Sequence, residues 1–306
     1  MYPGRLDRLG GGHGKVPFWA SVAAGGSPGA AAVAPGAAKL MPHGYQGTAD
    51  NAGMSQSNFA ATTPAAGPGA GADISAVLAA KVEASAALLA QAVADYGRVV
   101  YATSLGSEAA VLTDLICTRV PQIDLVTIDT GRLPEETLAL LDRVERRYDR
   151  RIRVYYPDAE AVERYVNQHG INGFYNSLDE RLSCCQIRKV EPFRRAMTGY
   201  AAWVTGVRRE QSNLRASGQP VARDEQYGLM KISPLLEWTE QDVWAYIRAQ
   251  RLPYNPLHDR GYPSIGCAPC SRAIEPGQDH RAGRWWWEHP DSRECGLQPR
   301  KRRAVT

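Results

Sequence analysis

Val99-Val100-Tyr101-Ala102-Thr103, followed by Ser104-Leu105-Gly106-Ser107 and an amphipathic run over 108–118, decides the fold class. The first five residues are β-branched, aromatic or apolar and read as a strand. The next four turn the chain into a helix. The alternation recurs outward from this unit. Residues 123–128 read as a strand, 134–147 as a helix with Pro134 at its first position, and 152–156 and 201–205 as further strands. Repeated β–α units predict an α/β fold, a doubly wound and mostly parallel sheet flanked by helices. Upstream, 74–96 has helical spacing and Gly97 stands where a C-cap would. Downstream, Thr239 and Asp242 give a helix over 240–250 a capping-box start.

Sheets of this kind bind ligands at the carboxyl ends of their strands. The loops to inspect are therefore Ser104-Leu105-Gly106-Ser107, Asp129-Thr130-Gly131-Arg132 and Gly206-Val207-Arg208-Arg209. The first leads into a helix N-terminus, whose free N–H groups suit an anion. No Gly-Lys-Ser/Thr follows it, so it is not a Walker A loop.

The chain of 306 residues carries a formal charge of only +4, which argues against a nucleic-acid coat and leaves room for a local anion site. Residues 1–72 are rich in Gly, Ala and Pro and are expected to be a disordered extension. No signal peptide or membrane-spanning apolar run is read, so a cytoplasmic, reduced protein is expected, with no membrane partner.

The six cysteines divide by position. Cys184 and Cys185 are adjacent, and Cys267 and Cys270 form a C-x-x-C pair. Four thiolates in two groups suit a metal or iron–sulfur site, and spacing alone leaves iron–sulfur and zinc level. Cys295, in Glu294-Cys295-Gly296-Leu297, reads as a thiol free to react. Cys117 lies in an apolar helical pattern and reads as a core residue.

The motifs become specific in the second half: Cys184-Cys185-Gln186-Ile187-Arg188-Lys189, Trp203-Val204-Thr205-Gly206-Val207-Arg208-Arg209, Gly266-Cys267-Ala268-Pro269-Cys270, His280-Arg281-Ala282-Gly283-Arg284-Trp285-Trp286-Trp287 and Glu294-Cys295-Gly296-Leu297. In this order they resemble the assimilatory adenylyl-sulfate reductases, over roughly residues 75–298. The resemblance implies a fold related to PP-loop pyrophosphatases and one [4Fe-4S] cluster on Cys184, Cys185, Cys267 and Cys270. It also implies that Cys295 attacks the sulfur of adenylyl sulfate, expelling AMP. Thioredoxin or a similar dithiol then releases sulfite from the cysteine S-sulfonate. Lys189, Arg281 and Arg284 would face the sulfate and phosphate. Thr205, Gly206 and Arg208, with Ser104 and Gly106 of the first loop, would hold the nucleotide. The implied organisation is an extension over 1–72, a reductase domain over 73–290 and a catalytic tail over 291–306, compatible with a homo-oligomer.

Two positions depart from the family's pattern: Gln298 stands where a His is usual, and Ala109 where many relatives carry Asp. The nearest rival is reduction of 3′-phospho-adenylyl sulfate, or use of both nucleotides. Enzymes of that rival kind typically lack the four cluster cysteines. A PP-loop thiolase acting on RNA would carry Ser-Gly-Gly-x-Asp-Ser, which Ser104-Leu105-Gly106-Ser107-Glu108-Ala109 is not. A zinc-stabilised nucleic-acid-binding module is the rival from another class.

Overall fold

A computed structural model describes residues 70–211, 218–289, 292–293 and 297. Six strands form one sheet in the order β3-β2-β1-β4-β6-β5. The strands are β1 (Val99–Thr103), β2 (Asp124–Ile128), β3 (Arg153–Tyr155), β4 (Ala202–Val204), β5 (Val221–Asp224) and β6 (Leu229–Ile232). All neighbours are parallel except β5, which pairs antiparallel with β6.

Side chains alternate across the strands and both faces are covered, as a doubly wound sheet requires. Val99 and Tyr101 of β1, with Ala202 and Val204 of β4, enter one apolar cluster. It is shared with helices α1 (Ala70–Tyr96), α2 (Ser107–Arg119), α3 (Glu135–Tyr148) and α7 (Glu240–Ala249). Val100, Val126 and Trp203 point the other way, onto Phe193, Ala196 and Met197. The first two of those belong to α6 (Glu191–Ala196). Two further helices, α4 (Ala159–His169) and α5 (Leu178–Cys185), lie between β3 and α6 in the chain.

The predicted boundaries hold within a few residues, with informative exceptions. Helix α1 begins at Ala70 rather than residue 74. Pro134 is the N-cap of α3, not its first helical residue, because its ψ of 148° is extended. The capping box of Thr239 and Asp242 is formed in both directions. Strands β5 and β6 escaped the sequence reading: each is four residues long and carries Arg223 or Lys231 inside its apolar pattern. The expectation that no apolar stretch could span a membrane needs correcting, because Ala76–Tyr96 within α1 reaches that length and apolarity. That helix nevertheless packs Leu89 and Ala92 into the core, pairs Lys81 with Asp242 and donates from Ser85 to the Pro234 carbonyl. Residues 1–69 and the expectations placed on them lie outside the described residues.

Candidate active site

Helix α5 starts at Ser177, whose side chain accepts from the Glu180 N–H, and ends on Cys184 and Cys185. The chain continues through a π-helical turn, Gln186–Val190, into α6. A π turn changes the angular step between residues, and here it falls on Arg188 and Lys189. Both line one small cavity together with Cys184, Cys185, Cys267 and Cys270. Cys270 ends a one-turn 3-10 helix, Ala268–Cys270, and Cys267 is its N-cap.

The loop after β2 pins that turn. Ala268 donates its N–H to the Arg132 carbonyl at 2.8 Å, and the Thr130 hydroxyl meets the Cys267 sulfur at 3.2 Å. Arg188 donates to the Thr130 carbonyl at 2.9 Å, joining the π turn to the same loop. Ser271 closes the turn from below, accepting from the Gly266 N–H and donating to the Cys267 carbonyl. Gly266 lies against the Arg284 guanidinium, which a Cβ there would displace. Aromatic side chains wall the cavity. Phe174, Trp285 and Trp287 pack with Cys184, Cys267 and Cys270, and the Tyr175 hydroxyl donates to the Pro269 carbonyl at 2.8 Å. Trp285 thus lines the thiol cavity, and Trp287 packs against the same cluster.

All four thiols are free of disulfides. Burial pushes the Cys184 thiol up to about 11 and the Cys270 thiol up to about 12, with the neighbouring cysteine sulfurs adding to both. Such a set is expensive to ionise unless a cation binds it, as metal centres do. Among the described residues no three Cys, His, Asp or Glu side chains converge as they would around one ion. A polynuclear centre, in which each iron takes one thiolate, fits four sulfurs spread around a shared cavity. The Trp285 Nε1 is buried with no partner, so a hydrogen-bond acceptor in that cavity would satisfy it.

The second half of the site is the carboxyl edge of β1 and β4. Leu105 takes a φ of 57°, a strained value for a branched residue, and Gly106 caps α2 without a side-chain bond. The first-turn N–H groups of α2 thus carry no capping side chain. Gly206 lies close under α2, where a Cβ would come within 3.0 Å of Glu108 Cβ. Arg208, 2% exposed, gives its Nε to Glu108 at 2.8 Å and also pairs with Glu210. Its charge is therefore committed to two carboxylates, and it ties the β4 loop to α2. Thr205 is buried and donates its N–H to the Ile232 carbonyl at 2.9 Å.

Burial works to raise the Glu108 carboxyl, but Arg208 outweighs it and holds the group below the usual carboxylate range. The stability this pair contributes is present above the ordinary carboxylate pKa and is lost as pH falls through the depressed folded value. Glu108→Ala is expected to cost about 3 kcal/mol, because a buried guanidinium loses one of its two partners. Urea denaturation at pH 7 and pH 4 checks this, with the difference between variant and wild type shrinking at the lower pH.

Arg284 is buried, donates Nε to the Cys270 carbonyl at 3.1 Å and stands 4.6 Å from the Trp285 ring centroid. Arg281 donates to the Arg293 carbonyl at 2.8 Å. The structure thus brings Lys189, Arg284 and the four cysteines together, and places Ser104, Gly106, Thr205, Gly206 and Arg208 at the strand ends. Cys295 and Gln298 lie outside the described residues. Leu297, two residues beyond Cys295, packs against the apolar cluster formed by Val100, Val126, Phe193 and their neighbours.

Sequence reasoning singled out the loop of Thr130 but missed Phe174 and Arg181. Only Arg181 left a signal, lying one helical turn before Cys185.

Fold and site together define an α/β protein with a ligand edge at its strand ends and a buried four-thiol cavity beside it. The phosphoadenosine phosphosulfate reductase domain matches residues 98–273, and the chain belongs to that family. It is 54% identical over 220 residues to the adenosine 5′-phosphosulfate reductase of Burkholderia cepacia, covering 72% of this chain and 88% of that one. The reductase of the same name from Allochromatium vinosum is 53% identical, covering 70% and 84%. The crystal structure of phosphoadenylyl-sulfate reductase from Candida auris, a phosphate complex, superimposes with a TM-score of 0.55 at 30% identity, covering 66% of this chain and 96% of that one.

Proposed function

We propose that this chain reduces adenylyl sulfate to sulfite and AMP in sulfate assimilation. The observation that carries this reading is the four-thiol cavity in a chain whose matched 214–220 residues are more than half identical to proteins named for that substrate. The same cavity disfavours the 3′-phosphorylated nucleotide, whose reductases typically lack these cysteines.

The Cys295 thiolate attacks the sulfate sulfur. A sulfur–sulfur bond forms, the bond from sulfur to the bridging oxygen breaks, and AMP departs with that electron pair. A thiolate of reduced thioredoxin or a similar dithiol then attacks the Cys295 sulfur. Sulfite leaves with the pair of the broken sulfur–sulfur bond, and the reductant's second thiolate then attacks the mixed disulfide, closing the reductant's disulfide and expelling the Cys295 thiolate. The two electrons come from the dithiol. A thiolate approaching a dianionic substrate needs fixed positive charge. Lys189 on the π turn and Arg281 supply it toward the sulfate and phosphate. Arg284, buried on Trp285, adds to the field from the cavity wall. The open N-terminus of α2, with Ser104 and Gly106 before it, receives the nucleotide. Arg208 serves through position, holding the loop of Thr205 and Gly206 against that helix.

Cys184, Cys185, Cys267 and Cys270 would hold a [4Fe-4S] cluster, supported by their shared cavity and the unpartnered Trp285 indole. When bound, the cluster supplies structural bracing and local electrostatics, since the electrons arrive from elsewhere.

Sulfite release tests the reading. Iron-loaded protein with reduced thioredoxin should form sulfite from adenylyl sulfate at least about tenfold faster than from its 3′-phosphorylated form, a margin set by one misfitting phosphate. Equal rates would make it a dual-substrate enzyme, and a reversed preference would make the rival correct.

A further inference from the structure

Arg181 is fully buried in α5, one turn before Cys185. Its Nε and Nη2 grip the two carboxylate oxygens of Glu288 at 2.7 and 2.6 Å, and Nη2 also donates to the Ser292 carbonyl at 2.8 Å. The same guanidinium hydrogen-bonds the Cys185 sulfur and stands 4.6 Å from the Trp285 ring centroid. The far side of the contact is also knotted. The Ser292 hydroxyl donates to Glu288, and Arg293 donates to the Glu288 carbonyl at 2.9 Å and the Trp286 carbonyl at 3.2 Å. A buried ion pair seldom adds net stability over an apolar pair of the same shape, so its placement asks for another reason. This one joins the helix of two candidate cluster ligands to the stretch of chain just before Cys295.

We infer that Arg181 is a positioning residue for the Cys295 segment: through Glu288 and Ser292 it latches the root of that segment to the helix bearing Cys184 and Cys185. The inference rests on the reading of Cys295 as nucleophile and extends it. The latch ties Glu288 and Ser292 to the helix of Cys184 and Cys185, and Arg181 is its joint. A planar fork bonded on both edges cannot be replaced by lysine.

The test uses iron-loaded full-length protein and two variants, Glu288→Gln and Arg181→Lys. Four quantities are read: iron content, AMP affinity, tryptic cleavage after Arg293, and single-turnover sulfonation of Cys295. Glu288→Gln is expected to keep its iron and bind AMP within about twofold. Cleavage after Arg293 should rise by about tenfold and sulfonation fall by about a hundredfold, the loss expected when a reacting group is held loosely. Arg181→Lys should move both in the same direction. Wild-type cleavage and sulfonation in iron-replete Glu288→Gln would overturn the latch. Loss of iron from Glu288→Gln would overturn it too, by making the pair a support of the thiol centre alone. Should Arg181→Lys shed its iron, Glu288→Gln decides, because Glu288 does not line the cavity. The cleavage arm needs no substrate, so a wild type that never sulfonates would refute the functional reading while the latch is still tested.

Discussion

Cys270→Ser is expected to yield protein without stoichiometric iron and with sulfite formation reduced more than about a hundredfold, beyond the loss typical of residues that only support a metal ligand. Cys270 is the buried member of the four. Its backbone is fixed on both sides, by its own N–H to Cys267 and by its carbonyl accepting from Arg284 and Trp285. A serine hydroxyl there would be held in place with no tendency to ionise and little affinity for iron. The cavity would also lose its content, leaving Cys184, Cys267 and the Phe174–Trp287 wall around empty space. Thermal unfolding should therefore shift down along with the iron. Iron and acid-labile sulfide analysis, run beside a melting curve, checks both. Iron retained at the wild-type ratio would remove Cys270 from the ligand set.

Gly283→Ala should be nearly as damaging, although Gly283 touches no thiol. Its backbone has an ordinary φ, so the constraint is space alone: a Cβ would overlap the Arg272 carbonyl and press on Ile274. Arg272 and Gly283 share a backbone bond of 3.0 Å beside the bridge between Ser271 and Arg284. That pairing lays the Arg284–Trp285 wall against the C-x-x-C turn. Forcing it open is expected to cost about 2–3 kcal/mol, as overpacking does, and to weaken iron retention through Arg284 and Trp285. Gly277→Ala is the control. At φ +86° with open space around it, it should cost about 1 kcal/mol of backbone strain and leave iron untouched. Equal iron content in the two variants would contradict the packing argument.

The parallel core of the sheet was legible because β1, β2 and β4 are short apolar runs bounded by turns. The antiparallel edge was not, since an edge strand with one wet face need not be apolar. The four cysteines were legible as two pairs, and the cavity brings the pairs together. What closes the cavity was illegible, because it depends on contacts distant in sequence. Arg181 meets Glu288 across 107 residues and Thr130 meets Cys267 across 137. Arg208 shows the opposite lesson. Its motif pointed to a ligand, whereas its guanidinium is taken by Glu108 and Glu210. A basic residue in a site motif can serve by bracing a loop, and spacing does not separate the two roles.

In the proposed mechanism Cys295 carries the sulfonate. Intact-protein mass after anaerobic incubation with adenylyl sulfate, without thioredoxin, tests it most directly. A gain of one sulfonate is expected, absent from Cys295→Ser and discharged as sulfite when reduced thioredoxin is added. An unchanged mass in iron-loaded wild type, or the same adduct in Cys295→Ser, would contradict it.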